Sequence, residues 1–529
     1  MPDRAADATA VACLAPLVRG PSWAVKFGAA AADSPLVTDP QRTLTAWPRL
    51  IGAGVEVPTV GRGTVPYVNL DYAASTPALS TVKDAVDALL PWYSSVHRGA
   101  GFLSGLSTDA YEGARTAVRS FTNARPDDAV LFTRNTTDAI NLLASALPQG
   151  TQVFAFRTEH HANLLPWRRH RAELLPVPRS PEEALTLLAD ALRAAPAGPR
   201  LVAVTGASNA TGELWPFAEI VHLAHEHGAR VLLDGAQLLP HRGVDVTALN
   251  VDYLAFSGHK IYAPFGAGVL LGRPDWLRAG EPFLAGGGAV RYVTVDDVLW
   301  ADLPDRQEAG SPNVLGAVAL GVACSTLERL SMDRVAAQEA TLLRRLRIGL
   351  ADVPGVQQYS LWGPASPRIG VATFTVRGLG YAEVAAALSA EYGIGVRHGC
   401  FCAHPLMTTL LGIDDEESDV IRAGLRSGGA PAVPGAVRAS MGLGTTESDV
   451  ERLVDAVASV ARSGLRWTYT SSPDGTSTWP DPDPRPRPAL PFPLTSHGAE
   501  PASAQLPAPL PAPLPAPRPA SQPAPVPAS

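Results

Sequence analysis

Lysine is almost absent from this 529-residue chain: Lys26, Lys83 and Lys260 are set against 43 lysines and arginines together. Arginine serves a solvated surface as well as lysine does, but only lysine carries an amine that can lose its proton and form a Schiff base. Cysteine is scarce too. Cys13, Cys324, Cys400 and Cys402 make no disulfide framework for a chain this long, so a reducing, cytoplasmic setting is the simpler expectation. No basic run stands out, and a formal charge of -7 with a pI near 6.0 leaves no footprint for nucleic acid. No apolar segment reaches the ~18 residues of a membrane span, and the Ala-rich start with its early Asp3 does not read as a signal peptide. No metal site is expected. Small molecules and proteins remain as partners.

What is present is a repeating pattern: a short apolar strand, a polar tip, then a helix. Strands are expected at 67–71, 129–132, 153–156, 201–204, 231–233, 253–256 and 267–271, with helices after Pro77, over 109–121, from Thr136 and over 217–226. This alternation points to an α/β fold, a mostly parallel central sheet covered by helices. A long helix over 314–345 then leads into a smaller C-terminal α+β unit. That unit has strands at 369–376, 394–396 and 436–441, and a closing helix over 446–461 capped by Thr446 and Asp449. The expected organisation is a partly ordered arm (1–64), a large domain (65–330), a small domain (331–463) and a Pro- and Ala-rich tail (464–529). The tail has too few large apolar side chains for a core and is expected to be disordered with polyproline II character. The glycine-rich segment 93–108, with Tyr93, His97 and Arg98, is either an active-site lid or a surface connection.

In an open α/β sheet the ligand-facing residues leave the C-terminal ends of the strands. The tips here carry Thr136 and Thr137, His160, Asn209, Asp234 with Gln237, and Ser257 with His259 and Lys260. Hydroxyls at a helix start after a strand are either an ordinary N-cap or an anion site. Pyridoxal phosphate needs an amine, an acid for its ring nitrogen, a donor near its phenolate and a phosphate cradle, and this set offers all four.

The motifs NLDYAAS, VHRGAG, NTTDAINL, EHHANLLPW, DGAQ, FSGHK, EAGSPN, RHGCFCAHPLM and the RAS around Arg438 resemble the class V aminotransferase-like enzymes of fold type I. The nearest look is that of SufS-like cysteine desulfurases and selenocysteine lyases, over about 69–461. The resemblance implies pyridoxal 5'-phosphate as cofactor, bound at its aldehyde by Lys260. It pairs Asp234 with the ring nitrogen and Gln237 with the phenolate oxygen, and stacks His160 or its neighbour His161 on the ring. Asn209 is implied near the ring and substrate carboxylate, and Arg438 on that carboxylate. Thr137, Ser257 and His259 are implied as phosphate ligands. Ser311 matches a hydroxyl supplied by a second subunit, which implies a homodimer.

The implied reaction converts L-cysteine to L-alanine, with the sulfur held as a persulfide on a loop cysteine before it passes to an acceptor protein. Arg397, Gly399, Cys402, Ala403 and Pro405 keep the spacing of that loop, so Cys402 aligns with the nucleophile; the bland alternative is a buried structural cysteine. Cys400 and His404 depart from the desulfurase pattern, where histidine and glutamine are commoner. The GCFC form looks more like the molybdenum cofactor sulfurase branch, and Cys400 either resolves a Cys402 persulfide or simply packs. The same residues also suit a C–S lyase, epimerase or aminotransferase acting on another amino acid. A third alternative is a non-catalytic scaffold with a partner-binding proline-rich tail.

Overall fold

The computed structural model describes residues 44–488, apart from 62, 430–432 and 473–476. The first compact unit ends at Pro484 and contains everything described below; the second, 485–529, is described only at 485–488.

Seven strands form the central sheet: β1 (Ala129–Thr133), β2 (Gln152–Phe156), β3 (Arg171–Leu175), β4 (Arg200–Thr205), β5 (Arg230–Asp234), β6 (Tyr253–Ser257) and β7 (Gly268–Gly272). Their order is β1-β7-β6-β5-β4-β2-β3, and only β7 runs antiparallel to its neighbours. The expected mostly parallel sheet is therefore present. β3 has an exposed, charged sequence with no strand signal and lies at the edge.

Successive strand residues point to opposite faces, so each strand feeds two cores. Phe154, Phe156, Val202, Val204, Val231, Leu233, Leu254 and Phe256 pack in one. Val153, Ala155, Leu201, Ala203, Leu232, Tyr253 and Ala255 pack in the other, against the helix Thr136–Ala146 (α3). Burial on both faces is why these strands read as unbroken apolar runs rather than alternating ones. The smaller C-terminal domain has its own four-stranded sheet and a separate core that includes Leu346, Phe374, Leu388, Val437 and Leu453. Among the described residues no single helix is long and apolar enough to cross a membrane.

Three expectations change. The loop expected over 93–108 gives way at Phe102 to a helix, α2 (Phe102–Phe121). Its buried stripe begins with Ser104 and Ser107 before reaching Tyr111, Ala114 and Val118, so small hydroxyl side chains hid a helical period. The single helix expected over 314–345 is two, α6 (Val314–Leu330) and α7 (Met332–Ala351), bent by 77° at Ser331, whose φ is 71°. The disorder expected from 464 does not hold for the first described part of that stretch, where Tyr469–Ser471 pairs antiparallel with Thr478–Pro480 and the Tyr469 hydroxyl donates to Glu391 at 2.9 Å. Trp467, Tyr469 and Trp479 supply large apolar rings there, whereas the sequence beyond 488 contains neither Trp nor Tyr. That run lies outside the described residues, as does most of the N-terminal arm.

Gly321 on α6 faces Ala114 on α2, and a Cβ there would meet the Ala114 Cα at 2.7 Å. Backbone cannot swing aside as a side chain can. Gly321→Ala is expected to cost about 1–3 kcal/mol, seen as a lower thermal midpoint; an unchanged midpoint would show that the two helices have slack.

Candidate active site

β1, β2, β4, β5 and β6 all end on the same edge of the sheet, so their tips converge. They line a cavity of about 570 Å³ with Thr136, Thr137, His160, Asn209, Asp234, Gln237, Ser257, His259, Lys260, Cys402 and Arg438 on its wall. Every site residue expected from the sequence is there except Ser311. Within one chain Ser311 lies in a separate cleft with Tyr93, His97, Arg98 and Gly288. The segment around His97 therefore belongs to that cleft and not to the Lys260 cavity.

Asp234 ends β5 and is 3% exposed. Its Oδ1 accepts the Ala236 N–H at 3.0 Å. Burial pushes its carboxyl up, while that N–H and the Lys260 cation draw it back. Lys260 closes a tight 3-10 turn, Gly258–Lys260, directly after β6. Burial pushes its amine below the ordinary lysine range and Arg438 adds to this, against the pull of Asp234 and Cys402. Gly258 is required in that turn because a Cβ would meet the Ala267 carbonyl at 2.8 Å.

His160 turns its Nδ1 back to accept the Ala162 N–H at 3.0 Å, which leaves Nε2 as the protonated nitrogen. His161, one residue on, faces elsewhere: its Nε2 lies 3.1 Å from His404 Nδ1, with the rings parallel to within 2°. His160 is thus the cavity histidine of the pair. Below them Glu159 ties two strand ends together, accepting from Asn163 Nδ2 at 2.7 Å and from the Thr205 N–H at 3.0 Å.

At the start of α3, Asn135 caps the helix by accepting the Asp138 N–H. The Thr136 N–H donates to Ser257 Oγ at 2.8 Å, and the two hydroxyl oxygens lie 2.6 Å apart. Thr136 joins Thr137 here, a contribution the motif match assigned to Thr137 alone. First-turn N–H groups with two or three hydroxyls around them suit an anion.

Arg438 is 3% exposed, donating from Nη1 to the Asn209 carbonyl at 2.8 Å and from Nη2 to Asp71 Oδ1 at 3.4 Å. Burial pushes its guanidinium down to about 10. Arg397 reaches Asp71 Oδ2 at 3.1 Å, so Asp71 holds Arg397 and Arg438 together. The NLDYAAS motif contains Asp71, but its role there was not legible.

Cys402 is exposed, which rules out the buried structural cysteine. It sits in a four-residue turn closed by the Ala403 N–H to the Cys400 carbonyl at 2.9 Å, with φ of 55° at both Phe401 and Cys402. That is the dihedral sign of a primed turn, which ordinarily takes Gly or Asn. The large domain holds it: Asn209 Nδ2 donates to the Phe401 carbonyl at 2.7 Å and the His161 N–H donates to the Cys402 carbonyl at 2.8 Å. The Arg438 guanidinium lies 5.0 Å over the Phe401 ring.

Two buried polar atoms of the cavity, Gln237 Oε1 and Arg438 Nε, have no hydrogen-bond partner among the described residues. Buried polar groups left open this way belong to a pocket shaped for a polar ligand. A buried acid, a deprotonatable lysine, a neutral imidazole and a hydroxyl-lined helix start fit pyridoxal phosphate. Gln237 differs in detail from its expected role, since Nε2 already donates to the Ala73 carbonyl at 2.6 Å and one amide hydrogen remains for a phenolate.

His160 and His259 have a consequence for stability. Burial, then Lys260, pushes His160 down to about 3 and His259 to about 4. The unfolded chain protonates these imidazoles near pH ~6.5 while the folded chain does not, so this contribution is present above that pH and is lost as pH falls toward 4. The thermal midpoint of the cofactor-free protein is expected to drop between pH 7 and 4.5, and to drop less in a His160→Asn, His259→Asn double variant. Equal slopes would contradict it.

The model of the family "Aminotransferase class-V" matches residues 68–453. The cysteine desulfurase of Dickeya dadantii is 37% identical over 402 residues, 74% of this chain and 90% of that protein. That of Synechococcus elongatus is 37% identical over 417 residues, and the chain spans 64% of its length. In structure, the apo cysteine desulfurase of Thermococcus onnurineus NA1 aligns with a TM-score of 0.66 at 30% identity, over 78% of this chain and 98% of that one. The cysteine desulfurase CsdA of Escherichia coli aligns with a TM-score of 0.62 at 32% identity, over 74% and 94%. The strand-tip cavity, its lysine and acid, and these matches lead to one conclusion: the chain belongs to the aminotransferase class-V family, close to the cysteine desulfurases, a kinship that implies pyridoxal phosphate as cofactor.

Proposed function

We propose that this protein is a pyridoxal-phosphate-dependent cysteine desulfurase that takes the sulfur of L-cysteine onto Cys402 as a persulfide and releases L-alanine. The observation that carries the reading is Cys402, an exposed thiol on the wall of the cavity that also contains Lys260 and Arg438. The cysteine desulfurases among its relatives support it. Atoms balance without an oxidant: the substrate Cβ–S bond breaks, an S–S bond to Cys402 forms, and the thiol hydrogen is made up at the substrate carbon.

The cofactor supplies an electron sink that weakens bonds at the substrate α- and β-carbons. Asp234 would hold the proton on its ring nitrogen, and Gln237 would offer its remaining amide hydrogen to the phenolate. Thr136, Thr137, Ser257 and His259 would take the phosphate, and His160 would cover the ring. Lys260, whose amine burial makes easier to deprotonate, would hold the aldehyde and serve to move the substrate α-proton. Arg438 offers Nε to the substrate carboxylate, beside Asn209.

The proposal includes a homodimer in which Ser311 of one copy completes the phosphate site of the other, an acceptor protein for the sulfur, and a reducing, cytoplasmic setting that keeps Cys402 a thiol. The deciding experiment supplies pyridoxal phosphate, L-cysteine and a reductant, and measures alanine and sulfide. Equal yields support the reading. A cofactor-loaded protein inert toward cysteine would replace it with a lyase, epimerase or aminotransferase of another amino acid.

A further inference from the structure

The Cys402 turn carries a second thiol that this reaction leaves unused. Cys400 lines the same cavity, and its Sγ lies against the His404 ring, 3.0 Å from Nε2 and 3.5 Å from Nδ1. The direction of that contact follows from a chain of hydrogen bonds. The His404 backbone N–H faces His161 Nε2 at 3.4 Å, and a backbone N–H can only donate, so His161 Nε2 is an acceptor. His404 Nδ1, 3.1 Å from that same nitrogen, therefore carries the hydrogen. The neutral His404 ring is left with its basic nitrogen at Nε2, the nearer of its two nitrogens to Cys400. His161 thus sets the tautomer of His404, and His404 stands as a base against the Cys400 thiol. The exposed His404 ring can pass a proton on to water. Burial pushes the Cys400 thiol up, so it needs such a base before it can act.

Cys400 and Cys402 are the first and third residues of one turn, and two chain steps keep their Cα atoms within about 7 Å. We propose that Cys400 is a second sulfur-carrying thiol, which takes the terminal sulfur from Cys402 with His404 accepting its proton. The step rests on the reading of Cys402 as a persulfide carrier. Its balance is closed: Cys400 Sγ attacks the terminal sulfur, the bond from that sulfur to Cys402 Sγ breaks, and Cys402 leaves as a thiolate that recovers the proton. Nothing is oxidised or reduced overall. The sulfur moves one thiol away from Lys260, freeing Cys402 for another turnover.

The test locates sulfur rather than activity. Holoenzyme is given L-cysteine without reductant, alkylated, and its loop peptide fragmented by mass spectrometry. The persulfide is expected on Cys400 as well as Cys402 in the native protein, on Cys402 alone in Cys400→Ala, and on neither in Cys402→Ala. In His404→Asn it should reach Cys400 about 100-fold more slowly, the scale of a lost general base. A Cys402 persulfide that never moves to Cys400 overturns the proposal, as does a Cys400–Cys402 disulfide with free sulfide.

A second arm treats cofactor-free protein with inorganic polysulfide, which loads thiols without the enzymatic reaction. Slower labelling of Cys400 in Cys402→Ala than in the native chain supports transfer, and equal rates overturn it. Should L-cysteine load neither thiol, the desulfurase reading fails by itself while the polysulfide arm still decides the transfer.

Discussion

Lys260→Ala is expected to leave a folded protein with no turnover and no yellow cofactor absorbance. The fold should survive because the change removes a cation from a buried position where burial already disfavours its charge. The turn that holds the residue depends on Gly258 and on backbone contacts, not on the lysine side chain. Function should not survive. Loss of proton transfer alone is worth about 10²–10⁴-fold, and loss of the anchoring amine adds to it. Lys260→Arg should do no better, since a guanidinium stays protonated and cannot bind an aldehyde. The measurement is thermal melting with and without pyridoxal phosphate. A ligand at about 100 times its Kd stabilises by about 2.7 kcal/mol, and this increment should shrink sharply in both variants while the cofactor-free midpoint holds. An undiminished increment would mean that Lys260 is not the anchor.

Cys402→Ala is expected to separate the two halves of the site. Alanine and sulfide formation from L-cysteine should fall to background, while cofactor affinity stays within about twofold, the range of an exposed substitution. The thiol is exposed, and the contacts that position its turn run through backbone carbonyls at 401 and 402, which alanine keeps. Retained alanine formation would remove Cys402 from the reaction and leave the added thiol reductant as the sulfur acceptor, whereas pyruvate and ammonia in place of alanine would mark a lyase from which sulfide leaves unaided.

The cofactor half of the site was legible because its residues sit at the ends of apolar runs, where strand period and polar tip coincide. Asp234 and the Ser257-to-Lys260 segment need only their own strands to be placed. The reaction half was less so. Nothing in Phe401 or Cys402 announces a positive φ, because neither is a residue that favours it; only contacts from Asn209 and His161, about two hundred residues away in the chain, impose it. Asp71 was quoted within a motif, yet its hold on Arg397 and Arg438 depends on the parallel pairing of Val68–Asn69 with Ile394–Gly395. The bend at Ser331 was hidden because apolar spacing continues through it, with Leu330 and Met332 both buried. His161 and His404 could be seen only as neighbours of more obvious residues; their pairing is a tertiary contact.

The Cys402 turn is a loaded spring. Two residues held at φ 55° store roughly 1–2 kcal/mol each, and the two hydrogen bonds that restrain them return about 1 kcal/mol each. The sums nearly cancel, so the latched and released forms of the turn lie close in free energy. On the proposed reaction, a loop that faces inward to Lys260 and then outward to an acceptor would gain from that balance, because neither position would trap the sulfur. Phe401→Gly, which removes both the strain at one centre and the ring beneath Arg438, would slacken the spring without touching the thiol.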